Sequence, residues 1–267
     1  MVNIGIEEEV FLPHKRFRLL GKEIHLYREL SSTNSIARQM AISGAAEGTI
    51  VMSRSQSAGR GRLERQWFCP PGKGLLLSMI VRPKIHVQFV PQLTLLTAVV
   101  VAETIKKATG CAAGIKWPND IFINGKKVCG ILAESSFTRA KIEYVIIGLG
   151  INANLDTLHL PPDCQETSTS LSLELGQNVS RIKLLKQFIL SWDEHIRGFI
   201  NAGHPYLRSK WIENNVTLGR DVTVNKGKNS INGLAVDISE KGGLIVRLTD
   251  GSLQEFLAED VTLSKKG

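Results

Sequence analysis

Apolar residues along the chain change period several times, and each change marks an element. In SSTNSIARQMAISG, Ile36 and Met40 stand four apart behind Ser32 and Thr33, either of which suits a helix N-cap, and Gly44 is a natural stop. This predicts a short helix. TIVMSRS has the β-branched content of a strand, and LLLSMIVRP predicts a buried strand ended by proline. FVPQLTLLTAVVVAETIKKATG predicts a long helix with an apolar face, its Lys106–Lys107 pair before Gly110 suiting the negative end of the helix dipole. IFI and VCGILAE flank Asn124-Gly125 and predict a hairpin behind a KWPND loop, and KIEYVIIGLGIN predicts a strand running into a glycine turn. Two further helices are expected, over RIKLLKQFILSWDEHIRGFINAG and PYLRSKWIENN, after a polar region (152–180) with little regular structure.

Beyond about residue 215 the texture shifts to short strands separated by Gly, Asn and Asp turns. The spacing predicts a small antiparallel barrel of about 50 residues. A domain boundary is placed near Asn214–Thr217, giving 1–215 and 216–267. The first 30 residues hold an apolar opening and a basic stretch, HKRFR.

Composition narrows this picture. With 267 residues, 43% hydrophobic and 22% charged, the chain resembles ordinary globular proteins, and extensive disorder is not expected. The start, MVNIGIEEEVFLP, lacks the basic, apolar and small-residue regions of a secretory signal. No run is expected to reach the ~20 apolar residues of a bilayer-spanning helix. A cytoplasmic location and no membrane partner follow as expectations. Cys69, Cys111, Cys129 and Cys164 are scattered, without zinc-ligand spacing. The net charge of +8 favours acidic partners, whether nucleotides, nucleic acid or an acidic protein.

Three motifs carry chemistry. In GRGRLERQW, Gly59 to Trp67, the arginines Arg60, Arg62 and Arg65 sit in a glycine-containing loop after a strand. Glycine admits close backbone approach, and guanidinium binds phosphate or carboxylate through paired donors, so this reads as an anion-binding loop. It is neither a G-x-x-x-x-G-K-[ST] phosphate loop nor a Rossmann fingerprint, because Glu64 stands where the third glycine belongs. In KWPND, Pro118 restricts the residue before it and holds Lys116 at a strand end, where it could meet charge growing on a phosphoryl oxygen. GLGIN, Gly148 to Asn152, says only that the backbone passes something closely.

Taken in order, SSTN, the Q-x-x-GRGR-x-x-R-x-W loop from Gln56 to Trp67, KWPND, the hairpin GKKVCGILAE and GLGIN resemble a biotin–protein ligase, from about residue 25 to the end. The resemblance implies an α+β fold: a mixed sheet with flanking helices of the class II synthetase-like, biotin–lipoate ligase type, plus a C-terminal SH3-like barrel. It implies ATP, Mg2+ and biotin in the reaction, biotinyl-5′-AMP as intermediate, and a lysine of a biotin carboxyl carrier protein or domain as acceptor.

Carried over by motif, Ser32, Thr33, Asn34 and Gln56 would contact biotin, and Arg60, Gly61 and Arg62 would close over biotin and the phosphates. Lys116 would bind the carboxylate and the reacting phosphoryl oxygens, making Lys116, Arg60 and Arg62 the catalytic set. Arg65, Trp67, Asn119, Asp120, Gly130 and Asn152 would shape the nucleotide side, with no metal ligand assigned on the protein.

Two departures qualify the match. Many members have glycine where Glu64 stands, and this carboxylate could pair with Arg62 or Arg65. Only about 30 residues precede SSTN, without the paired helices of members that also repress transcription, so sequence-specific DNA is not an expected partner. Dimerisation through a sheet edge stays open. The alternatives are a lipoate or octanoate ligase, a basic nucleic-acid-binding protein, and an inactive ligase-like scaffold.

Overall fold

A computed structural model describes residues 19–139, 141–226, 229–257 and 259–263. The basic stretch at residues 14–18 and the reading of the N-terminal extension lie outside them. The strands are β1 (Ile24–Leu30), β2 (Ile50–Gln56), β3 (Gly74–Val81), β4 (Gly114–Lys116), β5 (Asp120–Ile123), β6 (Lys126–Thr138), β7 (Lys141–Asn152), β8 (Asp221–Lys226), β9 (Asn229–Ile238), β10 (Leu244–Leu248), β11 (Leu253–Phe256) and β12 (Asp260–Leu263). The helices are α1 (Thr33–Ile42), α2 (Val90–Thr109), α3 (Pro162–Gln165), α4 (Leu171–Leu175) and α5 (Arg181–Asn214).

A seven-stranded mixed sheet runs in the order β1-β2-β3-β7-β6-β5-β4, with only β1 and β2 parallel. Because side chains alternate along a strand, its two faces have different contents. Leu75, Leu77 and Met79 of β3, with Val145, Ile147, Leu149 and Ile151 of β7, join the main core with α2 and α5. The alternate positions face the other way. Ile80, Tyr144 and Ile146 meet Ala37 and Ala41 of α1 in a second cluster, and farther along the same strands come Ser78, Gly148, Gly150 and Asn152. That second half-face carries the site.

Helix α2 starts with Pro91 in its first turn and ends at Gly110 in the left-handed region (φ 80°), whose N–H caps Lys106. By length and hydropathy α2 could cross a membrane, contrary to the sequence expectation. Its apolar residues are instead buried against the sheet and α5. Helix α5 is broken at Gly203 (φ 59°, ψ −142°), just before Pro205, so it is two helices in succession, as the sequence suggested.

The C-terminal strands form a five-stranded antiparallel sheet, β11-β10-β9-β8-β12. Its inward residues Val224, Ala235, Val246 and Phe256 are continuous with the main core. Docking is specific. The Trp117 backbone N–H donates to Thr217 Oγ1 at 2.9 Å, its indole N–H donates to the Gly242 carbonyl at 3.0 Å, and Gln92 donates to the Glu240 carbonyl. The ion pair of Arg208 on α5 with Asp237 on β9 is bidentate, at 2.9 and 2.8 Å.

Candidate active site

All fourteen site residues expected from the sequence line one cavity of about 530 Å³ on the second half-face of the sheet. Ser32, Thr33 and Asn34 bring the first turn of α1 to its wall. Ser32 occupies the N-cap position, but its hydroxyl makes no cap hydrogen bond. Gln56, at the end of β2, takes that role: its Oε1 accepts from the Thr33 N–H at 2.7 Å and the Thr33 hydroxyl at 3.1 Å. The helix end is thereby fixed from the neighbouring strand, leaving Ser32 to face the cavity.

The Arg-Gly loop folds back on itself. Trp67 N–H donates to the Gly59 carbonyl (3.0 Å), Gly61 N–H to the Arg65 carbonyl (2.7 Å) and Arg65 N–H to the Arg62 carbonyl (3.1 Å). At the tip, Leu63 (φ 52°) and Glu64 (φ 60°) both adopt positive φ, as the tightest hairpin turns require. Glu64 is exposed there. Arg62 turns inward, donating to Asn119 Oδ1 at 3.0 Å and to the backbone carbonyl of Glu259 at 3.4 Å. Asn119 in turn donates to the Ile131 carbonyl at 2.8 Å. Arg60 pairs with Glu134 at 3.0 Å.

GLGIN is not a turn. Gly148, Gly150 and Asn152 lie within β7, and their spacing of two puts them on the cavity face. A Cβ on Gly148 would sit 2.0 Å from Asn34 Oδ1, and one on Gly150 would sit 2.5 Å from the Trp67 ring. A Cβ on Gly130 of β6 would come within 3.0 Å of the same ring. Glycine is required because side chains from other elements come this close to the sheet.

Lys116 ends β4, next to a cis Trp117-Pro118 bond, with its ammonium 5.4 Å from the Phe122 ring centroid. Asp120 opens β5 and pairs with Lys127 Nζ at 2.7 Å. Asn152 donates to the Thr169 carbonyl at 3.0 Å, while its Oδ1 and the Trp67 indole N–H are buried with no hydrogen-bond partner among the described residues. Both line the cavity, where a bound group could satisfy them.

Sequence reasoning missed Lys127, Glu134, Ser78 and the 160–168 segment. Lys127 Nζ stands 5.7 Å from the Trp67 ring centroid, and the residue lines the cavity. It lies in GKKVCGILAE, and the bulge between Ile121 and Phe122 sets its register. Ser78 is buried, with its hydroxyl 2.6 Å from Asn34 Oδ1, to which it donates, and 2.7 Å from Thr33 Oγ1. Leu160, Asp163, Cys164, Thr167 and Ser168 close the far wall. Burial raises the Cys164 thiol pKa, with the neighbouring Asp163 adding to the rise, so Cys164 is no ready nucleophile.

A larger cavity of about 640 Å³ lies at the opposite end of β3, lined mainly by apolar groups such as Trp192 and Phe199. It contains none of the motif residues, and the converging cations and amides are in the smaller one.

Residues 26–152 match the Biotin/lipoate A/B protein ligase family, and 217–263 match the Biotin protein ligase C terminal domain. The chain is 34% identical over 262 residues to the Bifunctional ligase/repressor BirA of Bacillus subtilis (strain 168), covering 98% of this chain and 78% of that protein. It is 30% identical over 227 residues to the Biotin--[acetyl-CoA-carboxylase] ligase of Paracoccus denitrificans, covering 81% and 90%. The biotin protein ligase from Aquifex aeolicus in complex with biotin and ATP has a similar structure, with TM-score 0.78 at 27% identity, covering 91% of this chain and 100% of the other.

Proposed function

Because this chain belongs to the biotin protein ligase family, we propose that it activates biotin with ATP and transfers the biotinyl group to a lysine of a biotin carboxyl carrier protein or domain. The observation that carries this is the convergence of five motifs, spread from Ser32 to Asn152, on one cavity with cations and fixed amides in its wall. Residues 1–215 form the catalytic domain in this reading and 216–267 the C-terminal domain.

The chemistry has two steps. A biotin carboxylate oxygen attacks the α-phosphorus of ATP, and the bond to pyrophosphate breaks, giving biotinyl-5′-AMP. The acceptor ε-amine then attacks the acyl carbon, forming an amide and releasing AMP with loss of a proton. Ser32, Thr33, Asn34 and Gln56 hold biotin at the end where α1 meets β2. Trp67, Asn152 and Asp120 shape the nucleotide side, and Gly130 and Gly150 leave room for the indole. Lys116, Lys127 and Arg62 face the negative charge that builds on the phosphorus, and cations held in place by the fold stabilise it more than mobile ones in solution, the more so once bound substrates displace water. Water exclusion also protects the anhydride.

Magnesium would enter on the triphosphate. This cation usually keeps its waters and takes most of its ligands from phosphate. The four cysteines are unpaired, as suits the reducing cytoplasm where we place the reaction.

The test is biotin-dependent exchange of labelled pyrophosphate into ATP. Exchange is expected with biotin. Lys116→Ala, Lys127→Ala and Arg62→Ala should each lower its rate ~10²-fold or more, the scale for removing one preorganised charge-stabilising group. Exchange with lipoate but not biotin would reassign the substrate, and exchange with neither would overturn the reading.

A further inference from the structure

Glu134 lies on β6, two residues beyond Leu132, on the same face of the sheet as the cavity. Leu132 and Asn34 line the cavity, whereas Glu134 stands behind them. One of its oxygens, Oε2, accepts from Asn34 Nδ2 at 2.6 Å and from Arg60 Nη2 at 3.0 Å. The other end of the Asn34 amide is taken by the Ser78 hydroxyl, at 2.6 Å from Oδ1. Turning the carboxamide over would set its carbonyl oxygen against the Glu134 carboxylate, acceptor against acceptor, so that bond would be lost, although the Ser78 hydroxyl could accept from the turned NH2. The amide is therefore held in one orientation.

Through Arg60, the same carboxylate oxygen ties the Arg-Gly loop to the central sheet. The pair is partly solvated, with the side chains of Arg60 and Glu134 42% and 29% exposed. Ion pairs of this kind add little to folding stability. What this one supplies is orientation: it aims a loop guanidinium and a helix-end amide at the same end of the cavity.

We infer that Glu134 is a positioning residue for biotin recognition, an anion outside the cavity that orients Asn34 and Arg60 within it. This rests on the proposed ligase activity. On the nucleotide side, the Trp67 ring meets Lys127, Asp120 pairs with Lys127 and Asn152 donates to Thr169, contacts that do not pass through Glu134. The effect of Glu134 therefore falls more on biotin than on ATP. The charge matters to Arg60, while any acceptor serves Asn34, so glutamine preserves half of the arrangement and alanine none.

The experiment measures KM for biotin and for ATP, in the exchange assay, for wild type, Glu134→Gln, Glu134→Ala, Arg60→Ala and the Arg60→Ala/Glu134→Ala pair. Trypsin cleavage of the Arg-Gly loop in the ligand-free protein is followed for the wild type and the two Glu134 variants. Glu134→Ala is expected to raise the biotin KM roughly tenfold or more, the scale of a lost hydrogen bond to a charged group. The ATP KM should stay within about twofold. Glu134→Gln should fall between wild type and Glu134→Ala, the double variant should do less than the product of the single effects, and loop cleavage should quicken in Glu134→Ala. An unchanged biotin KM, an equal rise in both KM values, or independent effects in the double variant would overturn the inference. Absence of exchange in the wild type would instead sink the ligase reading. Loop cleavage then still decides whether Glu134 holds Arg60, since a rate unchanged in Glu134→Ala excludes it.

Discussion

Gly150 shows how a missing side chain can shape a site. The Trp67 indole occupies the space where a β-carbon would be, at 2.5 Å from the ring. Gly150→Ala must push the ring away, and overpacking of this kind typically costs 1–3 kcal/mol. Since Trp67 stands on the proposed nucleotide side, the variant is expected to raise the ATP KM roughly tenfold while moving the biotin KM less; steady-state exchange kinetics measure both. The sequence showed that the backbone at GLGIN passes something closely, but not that the partners are Trp67 and Asn34, because that depends on the register of β7 against its neighbours. Lys127, Ser78 and Glu134 escaped notice for the same reason. Each lies in an ordinary strand, and only the alternation of a particular pairing turns it toward the site. Glu64 was legible in the opposite way. A position that many family members fill with glycine has φ of 60° here, and the carboxylate is exposed at the tip while Arg62 turns to Asn119.

Elements with strong periodicity or clear punctuation were readable. Helix α2 follows its apolar pattern to the Gly110 cap, the Asn124-Gly125 turn joins β5 to β6, and Gly203 with Pro205 divides α5. What local pattern left unseen is how elements meet. Strand β1, built from IHLYREL, gains its place by parallel pairing with β2. Trp117, beside the KWPND proline, is 1% exposed. Its backbone N–H and indole N–H donate to the C-terminal region, at Thr217 before β8 and at Gly242 between β9 and β10. Trp117→Phe keeps an aromatic ring but leaves the Gly242 carbonyl without its donor, and an unsatisfied buried acceptor costs about 1–3 kcal/mol. Urea unfolding should show a loss of this size. Because Lys116 precedes Trp117 directly, exchange activity should fall as well.

At the scale of the molecule, α2 and α5 are cross-linked by a polar cluster around the buried His195. His195 Nε2 lies 3.2 Å from Glu103, whose other oxygen is 3.0 Å from Lys107, and the Tyr206 hydroxyl is 2.9 Å from His195 Nδ1. Burial pushes the Glu103 carboxyl up, but hydrogen bonds and charge from Lys107 and His195 outweigh it, and the net shift is downward. Asp237, paired with Arg208 across the α5–β9 contact, is likewise lowered despite burial. A carboxyl with a lower pKa folded than unfolded stabilises the fold fully above its unfolded pKa, and that stability is lost as pH falls through the folded value. Melting temperature is therefore expected to hold above the ordinary carboxylate range, near ~4, and to drop below it. Glu103→Gln should flatten part of that slope.

The reach of Arg62 to the Glu259 carbonyl carries a consequence for how the protein is made. Arg62 and residue 259 stand 197 positions apart along the chain. The sheet can assemble early, but the Arg-Gly loop gains this contact only once the segment carrying residue 259 has been made and has docked. A nascent chain that stops short of residue 259 thus lacks the contact that draws Arg62 inward, and the settled loop reports that the C-terminal segment is in place.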